Sequence, residues 1–301
     1  MIQCLYLSAE KSGEAGQQKV SVQELCSLFG VSRSGYYDHL HKAERTRRQQ
    51  DLQLGQQMEA IFMEAIFQAS RESYGSPRLV DALHKQGVCC GKNRIRRLMQ
   101  ERGLEAKQKR RRKPRTTDSR HALPVAPNLL QEAPAPKAIN QHWVNDITYI
   151  ATQEGWLYLA GTLDCYSRRI VGWQAAASLE SEVVLGAARR AFACRRPESG
   201  LVYHSDRGCQ YASRGCRRLL ADQGAQQSMS RRGNCYDNAM MESFWATLKT
   251  ECFGDYVPAT RSEAKSMLFD YIEVFYNRQR SHSALGYLSP AQFEQQSAAA
   301  A

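Results

Sequence analysis

Three strand-like segments in direct succession, followed by alternating helices and strands, constrain this chain more than any other feature. Residues 143–150 (WVNDITYI), 156–164 (WLYLAGTLD) and 168–176 (RRIVGWQAA) are each rich in aromatic and branched residues, and Glu154-Gly155 supplies a turn between the first two. A helix over 181–194, a short strand over 201–206, a helix over 213–223 and a short polar strand over 226–230 come next. A polar loop then leads to a long helix over 238–252 and a last helix over about 260–276. A meander that gives way to helix–strand alternation predicts an α/β fold, with a mixed sheet and helices on its faces.

The 301 residues leave room for a further domain or two at ~100–200 residues each. A 43% hydrophobic content excludes wholesale disorder. No apolar run approaches the ~18 residues of a membrane-spanning helix, and the opening MIQCLYLSAEKSGEAG lacks the pattern of a signal peptide. A cytoplasmic protein is therefore expected. The ten cysteines include no C-x-x-C pair, so reduced structural thiols are expected in place of zinc sites or disulfides.

The net charge of +11 is unevenly placed. Residues 1–140 hold 24 Lys/Arg against 14 Asp/Glu, an excess of +10, and the rest of the chain is nearly balanced. Such asymmetry points to a polyanion-binding front half. Two helix-turn-helix patterns lie there. In the first, over 19–43, Ser21 and Glu24 form a capping box, Gly30 ends one helix, Val31 plugs the turn, and Ser32 caps a second helix running through Leu40. Arg33 stands at the end of that helix that meets base edges in this motif, although an ordinary helical hairpin carries the same signals. A further helix is expected over 51–69. In the second pattern, over 74–104, Ser76 caps and Pro77 opens one helix, with Leu79, Val80 and Leu83 inside. The next helix turns Ile95, Leu98 and Met99 inward and Lys92, Arg94, Arg96, Arg97 and Arg102 outward, as suits a major groove or phosphates. The run KQKRRRKPR at 107–115, with Arg110, Arg111 and Arg112 at its centre, suits a solvated linker, a localisation-like string or a phosphate-binding arm; a linker that tracks DNA fits the rest best. The expected organisation is a helix-turn-helix over 1–50, a second helical DNA-binding domain over 51–105, a basic linker over 106–138, and an α/β core with a helical extension over 139–301.

Three acids need a reason for their places. Asp146 lies inside an apolar, aromatic strand, Asp206 ends another, and Glu242 borders the apolar stripe of a helix that buries Met241, Phe244, Trp245 and Leu248. Carboxylates at strand ends and on a bordering helix converge at the carboxyl edge of a sheet, where they supply the oxygen ligands that hard divalent ions require.

Thirty-five residues separate Asp206 from Glu242. This D…D-x35-E pattern resembles the DDE transposases and retroviral integrases. The segments WVNDITYI, LDCYSRRIVGW, HSDRGCQY, SMSRRGNCYDNAMMESFWATLKTE and YNRQRSHSALGYLSP resemble the orfB-type transposases of the IS-three insertion-sequence family, as does the front-half segment YGSPRLVDALHKQG. The resemblance covers roughly 20–293. It implies a ribonuclease-H-like integrase catalytic core and a bacterial, nucleoid-associated enzyme that cleaves and transfers DNA strands with two Mg²⁺ or Mn²⁺ ions. It makes Asp146, Asp206 and Glu242 the catalytic, metal-binding triad, with Asp164 and Asp237 as decoys and His204 as a positioning residue. It places Lys249, two helical turns beyond Glu242, beside the element end. Partners implied are double-stranded DNA, an upstream-frame product or fusion, and further copies of the chain on DNA. A metal-dependent nuclease without strand transfer, or a DNA-binding regulator with a degenerate core, are the competing readings.

Overall fold

The computed structural model describes residues 21–107, 123–131, 133–231 and 238–299, without the side chains of 40 and 42–58. The chain divides between Glu64 and Ala65 into two compact units.

The first unit contains α1 (Val22–Leu28) and the start of α2 (Arg33–Ala69). The capping box forms as expected: Glu24 N donates to Ser21 Oγ at 3.2 Å and Ser21 N to Glu24 Oε2 at 2.7 Å. Gly30 takes the left-handed conformation (φ +64°) that ends α1, and Gly35 N donates to Ser32 Oγ at 3.0 Å to cap α2. Two expectations are corrected. Val31 is 44% exposed and does not plug the turn. Nor does the second helix stop near Leu40: it is continuous to Ala69, because Lys, Ala, Glu, Arg and Gln dominate 42–50 and no proline interrupts them.

In the second unit, α3 (Ser76–Lys85) and α4 (Lys92–Glu101) pack through Leu79, Leu83, Ile95 and Met99. Gly75, not Ser76, occupies the N-cap of α3, which places Ser76 in the first turn as a buried residue. This helical segment is tied to the far end of the chain. Ser281 N donates to Tyr74 Oη at 2.7 Å, Lys85 Nζ to Tyr287 O at 2.8 Å, and Arg71 pairs with Asp270.

The sheet comprises β1 (His142–Thr152), β2 (Gly155–Asp164), β3 (Ile170–Ala176), β4 (Val202–Ser205) and β5 (Gln226–Met229), in the order β3-β2-β1-β4-β5. The meander β1–β2–β3 is antiparallel, and β1, β4 and β5 run parallel. Period-two alternation sorts side chains to two faces. Val144, Ile150, Leu157, Leu159 and Leu163 turn to the face covered by α8 (Ala239–Leu248) and α9 (Arg261–Phe269). Trp143, Ala160 and Val171 turn to the face covered by α5 (Ser181–Arg195), with α6 (Cys209–Ala212) and α7 (Arg214–Asp222) at its flank. Gly172 permits the approach of α5, since a Cβ there would sit 2.4 Å from Ala187 O. Both α8 and α9 run on into π-helical turns, Lys249–Phe253 and Asp270–Tyr276. A closing helix, α10 (Pro290–Ala299), lies beyond the last helix that the sequence pattern delimits. Of the segment expected to be a linker, 123–131 lies along β5, with Met229 N donating to Pro127 O at 3.2 Å.

Candidate active site

Asp146 and Asp206 stand side by side because of strand register. The parallel pairing of β1 with β4 ends at Asn145 opposite Ser205, so each aspartate is the next residue of its chain. Gly208 N donates to Asp206 Oδ1 at 2.9 Å, which fixes that carboxylate in a tight turn. On its other side Asp146 pairs with Gly161 of β2. A Cβ on Gly161 would lie 2.8 Å from Trp245 Cη2 and 3.1 Å from Met241 Cε. The missing side chain thus lets α8 settle close to the sheet, and Trp245 Nε1 donates to Asp146 Oδ2 at 3.0 Å. Glu242 precedes Trp245 by three residues, a spacing that places both on one flank of α8. At the start of α8, buried Asn238 donates from Nδ2 to the carbonyl of Asn145 at 3.1 Å, a second tie between this helix and β1.

The electrostatics follow this placement. Burial, then the charge of Asp206, then that of Glu242 push the Asp146 carboxyl well above the usual carboxylate range, against the hydrogen bonds from Ile147 and Trp245. Lys249 opens the π turn just past α8. Burial lowers its pKa, and attraction to Asp146 partly restores it. Tyr149 is raised by burial and by the nearby charges of Tyr158, Asp146 and Asp206.

Other acids and histidines read from the sequence have structural occupations. Asp164 is fully buried and accepts from Asn140 N (2.7 Å), Trp143 Nε1 (3.3 Å), Tyr166 N (2.9 Å) and Ser167 N (3.1 Å). His204 is buried between Ser228 Oγ (2.8 Å) and Ser230 Oγ (3.0 Å), where it braces β4 against β5. Asp237, Arg110, Arg111 and Arg112 lie outside the described residues. Arg33, in the first turn of α2, donates to Gln23 Oε1 at 3.3 Å. Lys92, Arg94, Arg96 and Arg97 are all exposed on α4, and Arg97 is 3.5 Å from Glu101. Among the described residues no three His, Cys, Asp or Glu side chains are drawn together closely enough to hold an ion as they stand.

Trp245 and Asn238 were missed as parts of the site. Trp245 reads as core in the sequence, and it is core, but a buried indole N–H also needs an acceptor. Asp146 is the acidic residue of the facing strand, and that signal was available.

Residues 136–235 match an integrase core domain family, 242–298 a second integrase core domain family, and 53–112 an HTH-like domain family. The chain is 47% identical over 271 residues to a 31 kDa protein of insertion element IS600 from Shigella sonnei, across 90% of this chain and 97% of that protein. It is 37% identical over 281 residues to the transposase InsF for insertion sequence IS3A of Escherichia coli K12, across 93% of this chain and 96% of that protein.

This chain belongs to the IS3-type DDE transposases.

The transposase is thus a DNA-binding polynucleotidyl transferase, and its five-stranded mixed sheet is a ribonuclease-H-like core. A nuclease without strand transfer and a non-catalytic regulator are not favoured. Among solved structures, the simian T-cell lymphotropic virus intasome resembles it with a TM-score of 0.45 and 15% identity, over 73% of this chain and 70% of that one. Among the described residues no helix is long and apolar enough to cross a membrane.

Proposed function

We propose that Asp146, Asp206 and Glu242 are the catalytic carboxylates of the transposase, and that they hold two divalent cations, Mg²⁺ or Mn²⁺. The donor set fits such ions: it is all carboxylate oxygen, the choice of hard cations. Burial, and after it repulsion from Asp206 and Glu242, raises Asp146, and a bound positive charge relieves both. When bound, two such ions activate the attacking oxygen and stabilise the leaving one in phosphoryl transfer.

The protein supplies placement. Trp245 holds the Asp146 carboxylate, Gly208 N–H holds that of Asp206, and Asn238 holds the start of α8 against β1. Cleavage at an element end frees a 3′-hydroxyl. That hydroxyl then attacks a second phosphodiester, forming one P–O bond as another breaks. Lys249 faces the DNA strand at this edge, and the exposed cations of α4, with Arg33 and the run Arg110–Arg112, bind the duplex; several copies of the chain assemble on it.

The observation that carries this reading is the β1–β4 register, which sets Asp146 beside Asp206 on the sheet face that α8 covers. Calorimetric titration of Mn²⁺ into the full chain with an element-end duplex tests it. Asp206→Asn is expected to weaken binding at least tenfold; wild-type affinity in that variant removes Asp206 from the site.

A further inference from the structure

A cavity of about 340 Å³ lies along α8, and none of the three triad carboxylates lines it. Its walls come from α3 (Arg78), the turn after β2 (Arg168), the Ser243 and Thr247 flank of α8, and the segment Tyr276–Ala284. Four cationic side chains face it: Arg78, Lys107, Arg168 and Arg280.

The one carboxylate in the lining, Glu251, is already committed. Arg280 donates to it twice, from Nε at 2.7 Å and Nη2 at 2.6 Å, and Tyr271 Oη donates at 2.8 Å. Lys107 lies 3.5 Å from Glu72. Arg78 and Arg168 remain, half-buried and without an ion-paired carboxylate among the described residues. Arg78 is stacked over the Tyr74 ring at 5.6 Å. Its pKa is lowered by burial and by Arg280, against a smaller opposing pull from Glu251.

His282 also lines the cavity. Burial and the guanidinium groups of Arg280, Arg78 and Arg168 push it down to about 3, so it stays neutral beside them. Its Nε2 is buried and has no hydrogen-bond partner. Two half-buried guanidinium groups without an ion-paired carboxylate are costly unless an anion completes the set.

We propose that this cavity binds a phosphodiester of the DNA strand, held by Arg78 and Arg168. Forked guanidinium donors match phosphate oxygens. The wall residue Ser243 adjoins Glu242 in the chain, so the cavity and the triad share α8. The proposal rests on the chain being a transposase, and not on the identity of its triad.

The test is the salt dependence of duplex binding by the full chain, with an element-end duplex and one of unrelated sequence. Arg78→Gln and Arg168→Gln are each expected to flatten the slope of log K against log salt by about 0.9 and to weaken both duplexes alike. Arg78→Lys, which keeps the charge, is expected to keep the slope. If Arg78→Gln does not fold, Arg168→Gln decides. Wild-type slope and affinity in the folded glutamine variants overturn the proposal. So does stabilisation of the wild type, but not of the variants, by inorganic pyrophosphate with duplex slopes unaltered, which would mark a site for free anions.

Discussion

Trp245 Nε1 donates a 3.0 Å hydrogen bond to Asp146 Oδ2, joining α8 to β1 across the covered face of the sheet. The same ring is 5% exposed and packs against Phe244, with centroids 4.8 Å apart. Packing and orientation of the carboxylate therefore reside in one side chain. Trp245→Phe keeps most of the packing and deletes the donor. Groups that orient metal ligands are commonly worth about 10–100-fold in metal affinity or activity. The expected outcome is a strand-cleavage rate reduced by about that factor with end binding intact, read from single-turnover cleavage of labelled ends.

Gly161 makes this contact possible. Its replacement by alanine puts a methyl group 2.8 Å from Trp245 Cη2 and 3.1 Å from Met241 Cε, both in a packed core. Overpacking of this kind costs about 1–3 kcal/mol. Gly161→Ala should lower the unfolding free energy in denaturant titration by that amount and slow cleavage, because α8 must back away from the strand that carries Asp146.

How far the site was legible from sequence follows from where each signal is local. The meander β1–β3 and the helix α5 fall within a few residues of expectation, because alternation and aromatic content are local and unopposed. Asp164, which the resemblance sets outside the triad, is buried with four donors at hydrogen-bond distance. Val31 misleads: an apolar residue in a turn looks like a plug, yet it is exposed. The continuity of α2 was hidden because polar helix formers carry no periodic signal. The cavity beside α8 was out of reach altogether, since Arg78, Arg168 and His282 meet only through tertiary packing.

Glu294 gives a pH prediction. It accepts from Arg195 Nη2 at 2.7 Å and Arg169 Nη1 at 2.6 Å, which clamps α10 to the core. Burial acts to raise its pKa, but the bonds from Arg195, Ser167 and Arg169 together with the Arg195 charge outweigh burial, and the net shift is downward from 4.5. A depressed folded value means that the stabilisation is complete above the ordinary carboxylate value and is lost as pH falls through the folded one. Thermal unfolding followed from pH 6 downward should therefore fall less steeply below about 4.5 in Glu294→Gln than in the wild type. Parallel curves would contradict the assignment.

The exposed cations of α4 should act as phosphate contacts or base readers. Lys92→Gln, Arg94→Gln, Arg96→Gln and Arg97→Gln in the full chain are compared by duplex affinity at several salt concentrations. A phosphate contact loses about 0.9 of slope and binds all sequences less well. A base contact instead costs about 1–3 kcal/mol on the element end alone. Four variants indistinguishable from wild type would remove α4 from the interface.

The central claim, that Asp146, Asp206 and Glu242 together perform the chemistry, is tested most directly by metal-dependent cleavage and joining of labelled element ends. Asp146→Asn, Asp206→Asn and Glu242→Gln are each expected to abolish both reactions in Mg²⁺ and in Mn²⁺ while end binding persists. Wild-type cleavage and joining in any one of the three would contradict the account and remove that residue from the catalytic set.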